Sequence, residues 1–228
     1  MLKLIEPQWW VTLLKSLFAW MQASVFWSYW IPILADVFVF TYPVYLIGLY
    51  IYWMVEGRSW KVKKEMDSGR NTWRWNEVTT WLYNKIAALY IFVGVMVSVA
   101  VNVGIQFFID KTRPNFVLEL TDLKHETVLN AFMPSSSFPS DHAAVTMSIA
   151  MMSLFRGIKN KDKKFLRFGG ILIIFSLITW FARVSSGVHW PTDIIWGSVV
   201  GIIVPLFLMR KPIYTFGTWI AERIGKII

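Results

Sequence analysis

The sequence predicts an all-α fold: an integral membrane helical bundle of about six transmembrane helices, built as a single membrane domain over residues 1–228. Three observations predict it. Hydrophobic residues make up 56% of the chain and charged residues only 16%, with a mean hydropathy of +0.49, far from the composition of soluble domains. Several apolar runs approach the roughly 20 residues that an α-helix needs to cross a bilayer core. Aromatic residues reach 17%, with 14 Trp, as suits interfacial belts at headgroup depth.

Six apolar segments follow in order: 9–31, 37–55, 86–109, 142–155, 168–182 and 190–209. The first, an aromatic stretch from Trp9 to Ile31, is interrupted by Lys15 and suits either a spanning helix or one lying in the interface plane. It lacks a basic start and a small-residue cleavage site, so it is read as retained and not as a signal peptide. Val37 to Val55 and Ile86 to Ile109 read as spans. The later runs, Ala143 to Phe155, Phe168 to Ala182 and Ile194 to Met209, are shorter, so their polar outer ends are expected below the lipid surface. Ionisable groups at that depth must pair or face a wet cavity, which marks them as functional candidates.

The net charge of +9 is concentrated in short segments between apolar runs and does not form the single basic face of a nucleic-acid binder. Arg58, Lys61, Lys63, Lys64, Arg70 and Arg74 follow the second segment; Arg156, Lys159, Lys161, Lys163, Lys164 and Arg167 follow the fourth. Both loops are expected inside, and six spans would put both termini there as well. The stretch from Lys61 to Arg74 suits either anionic headgroups or plain solvation. With no Cys, disulfides and thiolate chemistry are excluded. No nucleotide motif or haem site is present, and the sequence specifies no oligomeric state.

Three clusters stand at the ends of these runs: Lys111-Thr112-Arg113-Pro114, Pro139-Ser140-Asp141-His142, and Arg183 followed by His189 and Asp193. With the basic loops inside, all three share the outer face. Arginine forks bind phosphate oxygens bidentately, and a pair of histidines supplies a nucleophile and an acid. Asp193 follows His189 by four residues, on one face of a helix started by Pro191. A carboxylate accepting from one ring nitrogen would fix the tautomer and free the other nitrogen to attack phosphorus, forming a phosphohistidine. Taken alone, the pair equally fits a helix-start cap or half of a metal site.

His142 opens its helix behind Ser140, where free N–H groups and the helix dipole favour an anion. Ser140 adds a hydroxyl, and His142 is placed to protonate a leaving oxygen; an ordinary cap by Ser140 or Asp141 fits the same residues. Arg113 and Arg183 stand at the same level, with guanidinium geometry suited to phosphate.

These residues resemble the type 2 phosphatidic acid phosphatase superfamily, whose motifs run Lys-x6-Arg-Pro, Pro-Ser-Gly-His and Ser-Arg-x5-His-x3-Asp. Here they stand as Gln106-x6-Arg113-Pro114, Pro139-Ser140-Asp141-His142 and Ala182-Arg183-x5-His189-x3-Asp193, a motif core over 106–197. The resemblance implies a membrane phosphatase with no metal and no cofactor. It makes His189 the nucleophile, Asp193 its partner and His142 the acid, with Arg113, Arg183 and Ser140 binding phosphate.

Three positions depart from the pattern. Gln106 replaces a Lys, and Lys111 is expected to reach in for it. Ala182 replaces a Ser. Asp141 replaces a Gly, and its charge is expected to pair with Lys111 or an arginine. The wording around Asp141 and His189 is similar to bacterial undecaprenyl diphosphate phosphatases, which implies an isoprenoid diphosphate substrate and a plasma-membrane site facing the exterior. Phosphatidylglycerophosphate, phosphatidic acid and lipid A phosphatases are alternatives. A non-catalytic lipid-phosphate binding or transport protein is the reading from another class, and it needs neither nucleophile nor acid. The segment 115–132, containing His125, is expected to cover the cavity.

Overall fold

A computed structural model describes residues 2–3, 6–66, 75–118 and 136–227, with side chains described outside 2–3, 38–39, 50–85, 221–222 and 224–227. The fold is all-α. Helices α1 (Gln8–Gln22), α2 (Val25–Met66), α3 (Trp75–Gln106), the single turn α4 (Pro114–Val117), α5 (Asp141–Asn160), α6 (Lys163–Ser185), α7 (Pro191–Leu208) and α8 (Lys211–Ile227) follow in chain order. The one extended pairing among the described residues joins β1 (Leu2–Lys3) in parallel to β2 (Ile109–Asp110).

Among the described residues, four stretches are long and apolar enough to cross a membrane: Val25–Leu49, Ile86–Gln106, α6 and α7. They surround α5, whose packing partners are α6, α7 and α3. Because neighbouring helices and not lipid cover α5, its sequence is rich in small and weakly polar residues. Ala143, Ala144, Ser148, Ala150 and Ser153 are all buried, and small residues let membrane helices approach closely. Two glycines of α7 complete that approach. A Cβ on Gly201 would lie 2.7 Å from the Ala144 carbonyl oxygen, and one on Gly197 would collide with that of Ser140. The first turns of α5 and α7 are thereby held side by side.

Polar seams join the other helices. Tyr42 donates to the Leu172 carbonyl at 3.0 Å and lies 2.8 Å from Ser176 Oγ, while Ser98 and Ser148 pair at 2.9 Å. The Arg156–Arg167 loop lies at the opposite end of the bundle from the three motif clusters, as charge bias requires.

The first apolar segment differs from its expected extent. Trp9 to Ile31 breaks at Ala23 and Ser24, and α2 starts at Val25. Helix α1 has 15 residues, a rise of about 22 Å against a core of about 30 Å. Its buried Met21 packs with Ile31, Ala35 and Ala182, while Glu6, just before it, contacts Lys111. Both ends of α1 therefore lie at the level of the motif clusters, so this helix runs along that end of the bundle. The N-terminal segment is accordingly on the side of the clusters, not on the side of the basic loops where six full crossings would have put it. Residues 119–135, including His125, and residues 67–74 lie outside the described residues, as do the side chains of Lys61, Lys63 and Lys64.

Candidate active site

Backbone hydrogen bonds stitch the three clusters together. Ser137 N–H donates to the Lys111 carbonyl at 2.8 Å, Asn115 N–H to Gly187 at 3.0 Å and Ser140 N–H to Asp193 at 3.0 Å. Trp190 Nε1 donates to the Thr112 carbonyl at 2.9 Å. Gly187 turns the chain between α6 and α7 with φ of 70°, a conformation that glycine adopts without a Cβ penalty. Sequence-distant residues are thus brought together at one end of the bundle.

His189, 3% exposed, is the centre. Its Nδ1 lies 3.0 Å from the Ser137 carbonyl oxygen. A carbonyl only accepts, so Nδ1 carries the proton and Nε2 presents a lone pair. Nε2 lies 3.4 Å from Arg183 Nη2 and 3.5 Å from Arg113 Nη1. Burial pushes the His189 imidazole well below the ordinary histidine range, and the Arg183 and Arg113 charges push the same way. The ring is therefore neutral at neutral pH. Burial also lowers Arg113, against the opposing pull of Asp193 and Asp141, but an arginine begins so high that it stays charged.

Each guanidinium is anchored from behind. Arg113 donates to the Val188 carbonyl at 3.2 Å and that of Ser136 at 3.5 Å. Arg183 Nη1 donates to Asp36 Oδ1 at 3.1 Å and to the Ala35 carbonyl at 3.4 Å. His142 shares the field of Arg183, His189 and Arg113, and its buried Nε2 has no hydrogen-bond partner among the described residues. Ser140 caps α5, its Oγ accepting from Ala143 N–H at 3.4 Å, and its hydroxyl proton remains available.

The structure corrects three expectations. Asp193 does not hydrogen-bond His189: Oδ2 lies 3.6 Å from Nδ1, within ion-pair reach only. Oδ2 instead accepts from Trp190 N–H at 2.9 Å, capping α7, and Oδ1 from Lys111 Nζ at 2.6 Å. The Ser137 carbonyl fixes the tautomer. Lys111 does not stand in for the lysine replaced by Gln106, because Asp193, Thr192 and Glu6 hold its ammonium. Two buried carboxylates outcompete an open position. Asp141 pairs with neither Lys111 nor an arginine; its Oδ1 accepts from Asn102 at 2.6 Å and Gln106 at 3.0 Å. Both amides also donate to the Pro139 carbonyl, at 3.1 and 3.0 Å. Gln106 therefore pins the 136–140 loop to α3.

Sequence reasoning missed Glu6, Asp36, Asn102 and the Ser137 carbonyl. Asp36 carried a usable signal, a lone carboxylate within an apolar run. Asn102 carried another, its four-residue spacing from Gln106 on one helix face. Glu6 has no local signal, since only the fold brings it to Lys111.

A membrane-embedded bundle with a histidine held between two guanidiniums defines an anion-handling membrane protein. The chain belongs to the PAP2 superfamily: the family model matches residues 87–215, which include all three clusters. It is similar to undecaprenyl-diphosphatase BcrC of Bacillus subtilis (strain 168), 37% identical over 75 residues, 33% of this chain and 35% of that protein. It is also similar to the putative undecaprenyl-diphosphatase YbjG of Escherichia coli (strain K12), 25% identical over 128 residues, 55% of this chain and 59% of that protein. The chain thus matches between 35% and 59% of the length of these curated relatives. No solved structure matches it.

Proposed function

We propose that this chain is a lipid phosphatase that releases the terminal phosphate of undecaprenyl diphosphate through a phosphohistidine on His189. One observation carries the mechanism: a neutral imidazole with its free Nε2 between two guanidiniums, at 3.4 and 3.5 Å. Arg113 and Arg183 hold the non-bridging oxygens and offset the charge that grows on them. The Nε2 lone pair attacks the terminal phosphorus; the P–N bond forms as the bond to the bridging oxygen breaks. Beside the bound, negatively charged diphosphate His142 takes up a proton, passes it to that oxygen, and undecaprenyl phosphate departs. Water then attacks the phosphohistidine, giving its proton to His142, and inorganic phosphate leaves as the P–N bond breaks. Through both steps the proton stays on Nδ1, donated to the Ser137 carbonyl, and Asp193 offsets the ring's positive charge.

The names of the two relatives support the diphosphate substrate. The basic loop at the far end of the bundle supports a site facing the exterior of a bacterial plasma membrane. The whole chain acts as one membrane domain, with the lipid phosphate as its partner. The test is phosphate release by detergent-purified protein from undecaprenyl diphosphate, phosphatidylglycerophosphate and phosphatidic acid, with EDTA present and His189→Ala alongside. Release greatest from the diphosphate and abolished by the substitution is expected. Lipid binding without release from any of the three would make the chain a lipid-phosphate binding protein.

A further inference from the structure

Arg183 is wholly buried, and its guanidinium is divided between two tasks. Nη1 faces Asp36 and the Ala35 carbonyl of α2. On the other edge, Nη2 lies 3.4 Å from His189 Nε2, and Nε is buried with no hydrogen-bond partner among the described residues. Nε and Nη2 form the side-on fork that arginine offers to two oxygens of one phosphate. Asp36 thus holds the half of the guanidinium that a phosphate would not use, and the half it would use points to the nucleophilic nitrogen.

Asp36 lies within the spanning stretch Val25–Leu49 and is 7% exposed. A carboxylate at such a place is costly unless paired, and its described partner is Arg183. It also lies outside residues 87–215, which the family model covers. We propose that Asp36 is a positioning residue: by fixing Nη1 of Arg183 it aims the Nε–Nη2 fork at the phosphoryl group on His189, so that α2 sets the affinity of the site for phosphate. The proposal rests on the phosphate site described above.

The probe is orthovanadate, a phosphate mimic, measured by calorimetric binding to the full chain in detergent and by inhibition of phosphate release. Binding is referred to the folded fraction, so that lost fold and lost affinity are read separately. Asp36→Ala is expected to weaken orthovanadate about tenfold or more, since a charge-assisted anchor is removed. Asp36→Asn keeps an acceptor for Nη1 without the charge and is expected to weaken it about threefold. Should Asp36→Ala fail to fold, Asp36→Asn decides. Orthovanadate affinity unchanged in the folded variant, with only the melting temperature lowered, would overturn the positioning role. The site reading fails separately: wild-type protein that binds no orthovanadate contradicts the phosphate site itself.

Discussion

Two buried arginines stand at opposite ends of the bundle and meet different company. Arg156, 1% exposed, donates to the Tyr214 hydroxyl at 3.0 Å and lies over the Phe165 ring, 5.5 Å from its centroid. Arg183, 0% exposed, faces a carboxylate on one edge and an imidazole on the other, with Arg113 as a second cation on the same ring nitrogen. Burial is common to both, so burial alone does not mark function. Convergence does. A phenol and an aromatic ring flank the single Arg156 guanidinium. Two guanidiniums aimed at one nitrogen repel each other, and an anion between them relieves that cost.

The largest effect expected from this contrast is at the convergence point. His189→Ala should cut turnover on the order of 10⁴-fold or more, as removal of a nucleophile does, in a lipid phosphate-release assay. Arginine replacements come next. Arg183→Lys and Arg113→Lys should each lower kcat/KM on the order of 10²-fold, because an ammonium lacks the fork. Arg156→Lys should leave kcat/KM within about threefold and instead lower the melting temperature by a few degrees. Equal kinetic losses at the two ends would break the comparison.

His142→Ala sharpens it, because the size of its effect depends on the leaving group. On a phosphate monoester the loss should be about 10²-fold or more. On a diphosphate it should be smaller, since a departing phosphate needs a proton less than a departing alkoxide does.

The pH profile is a subtler readout. The pull of burial, Arg183 and Arg113 on His189 is downward, so activity persists as pH falls through the ordinary histidine range, and protonation silences the nucleophile only well below it. Removing either arginine's charge should move this acid limb upward. Arg156→Lys should not move it. The smallest effect is expected for Gln106→Lys, which places an ammonium against Asp141 and should change turnover by a few-fold at most, upward if the amide is a handicap.

The site was legible in the sequence where side chains alone define it. His189, His142, Arg113 and Arg183 stand at the polar ends of apolar runs, and charge bias put those ends on one side. The partners that orient them were less legible for distinct physical reasons. Ser137 acts through its backbone carbonyl, which no residue type encodes. Lys111 was drawn to Asp193 and Glu6 by contacts across 82 and 105 residues, for which local spacing carries no signal. The Ala23-Ser24 break was hidden because the apolar pattern continues through it, so two helices read as one run and a part. Asp141 was legible as a charge in need of a partner, though the partner is a pair of α3 amides and not a cation.

The most direct test of the central claim is to incubate the protein with undecaprenyl diphosphate radiolabelled at its terminal phosphate, quench, then map the label by peptide. A phosphohistidine centre at His189 predicts acid-labile, alkali-stable label on the peptide containing His189, absent in His189→Ala. Turnover persisting in His189→Ala, or label on any other residue, would contradict it.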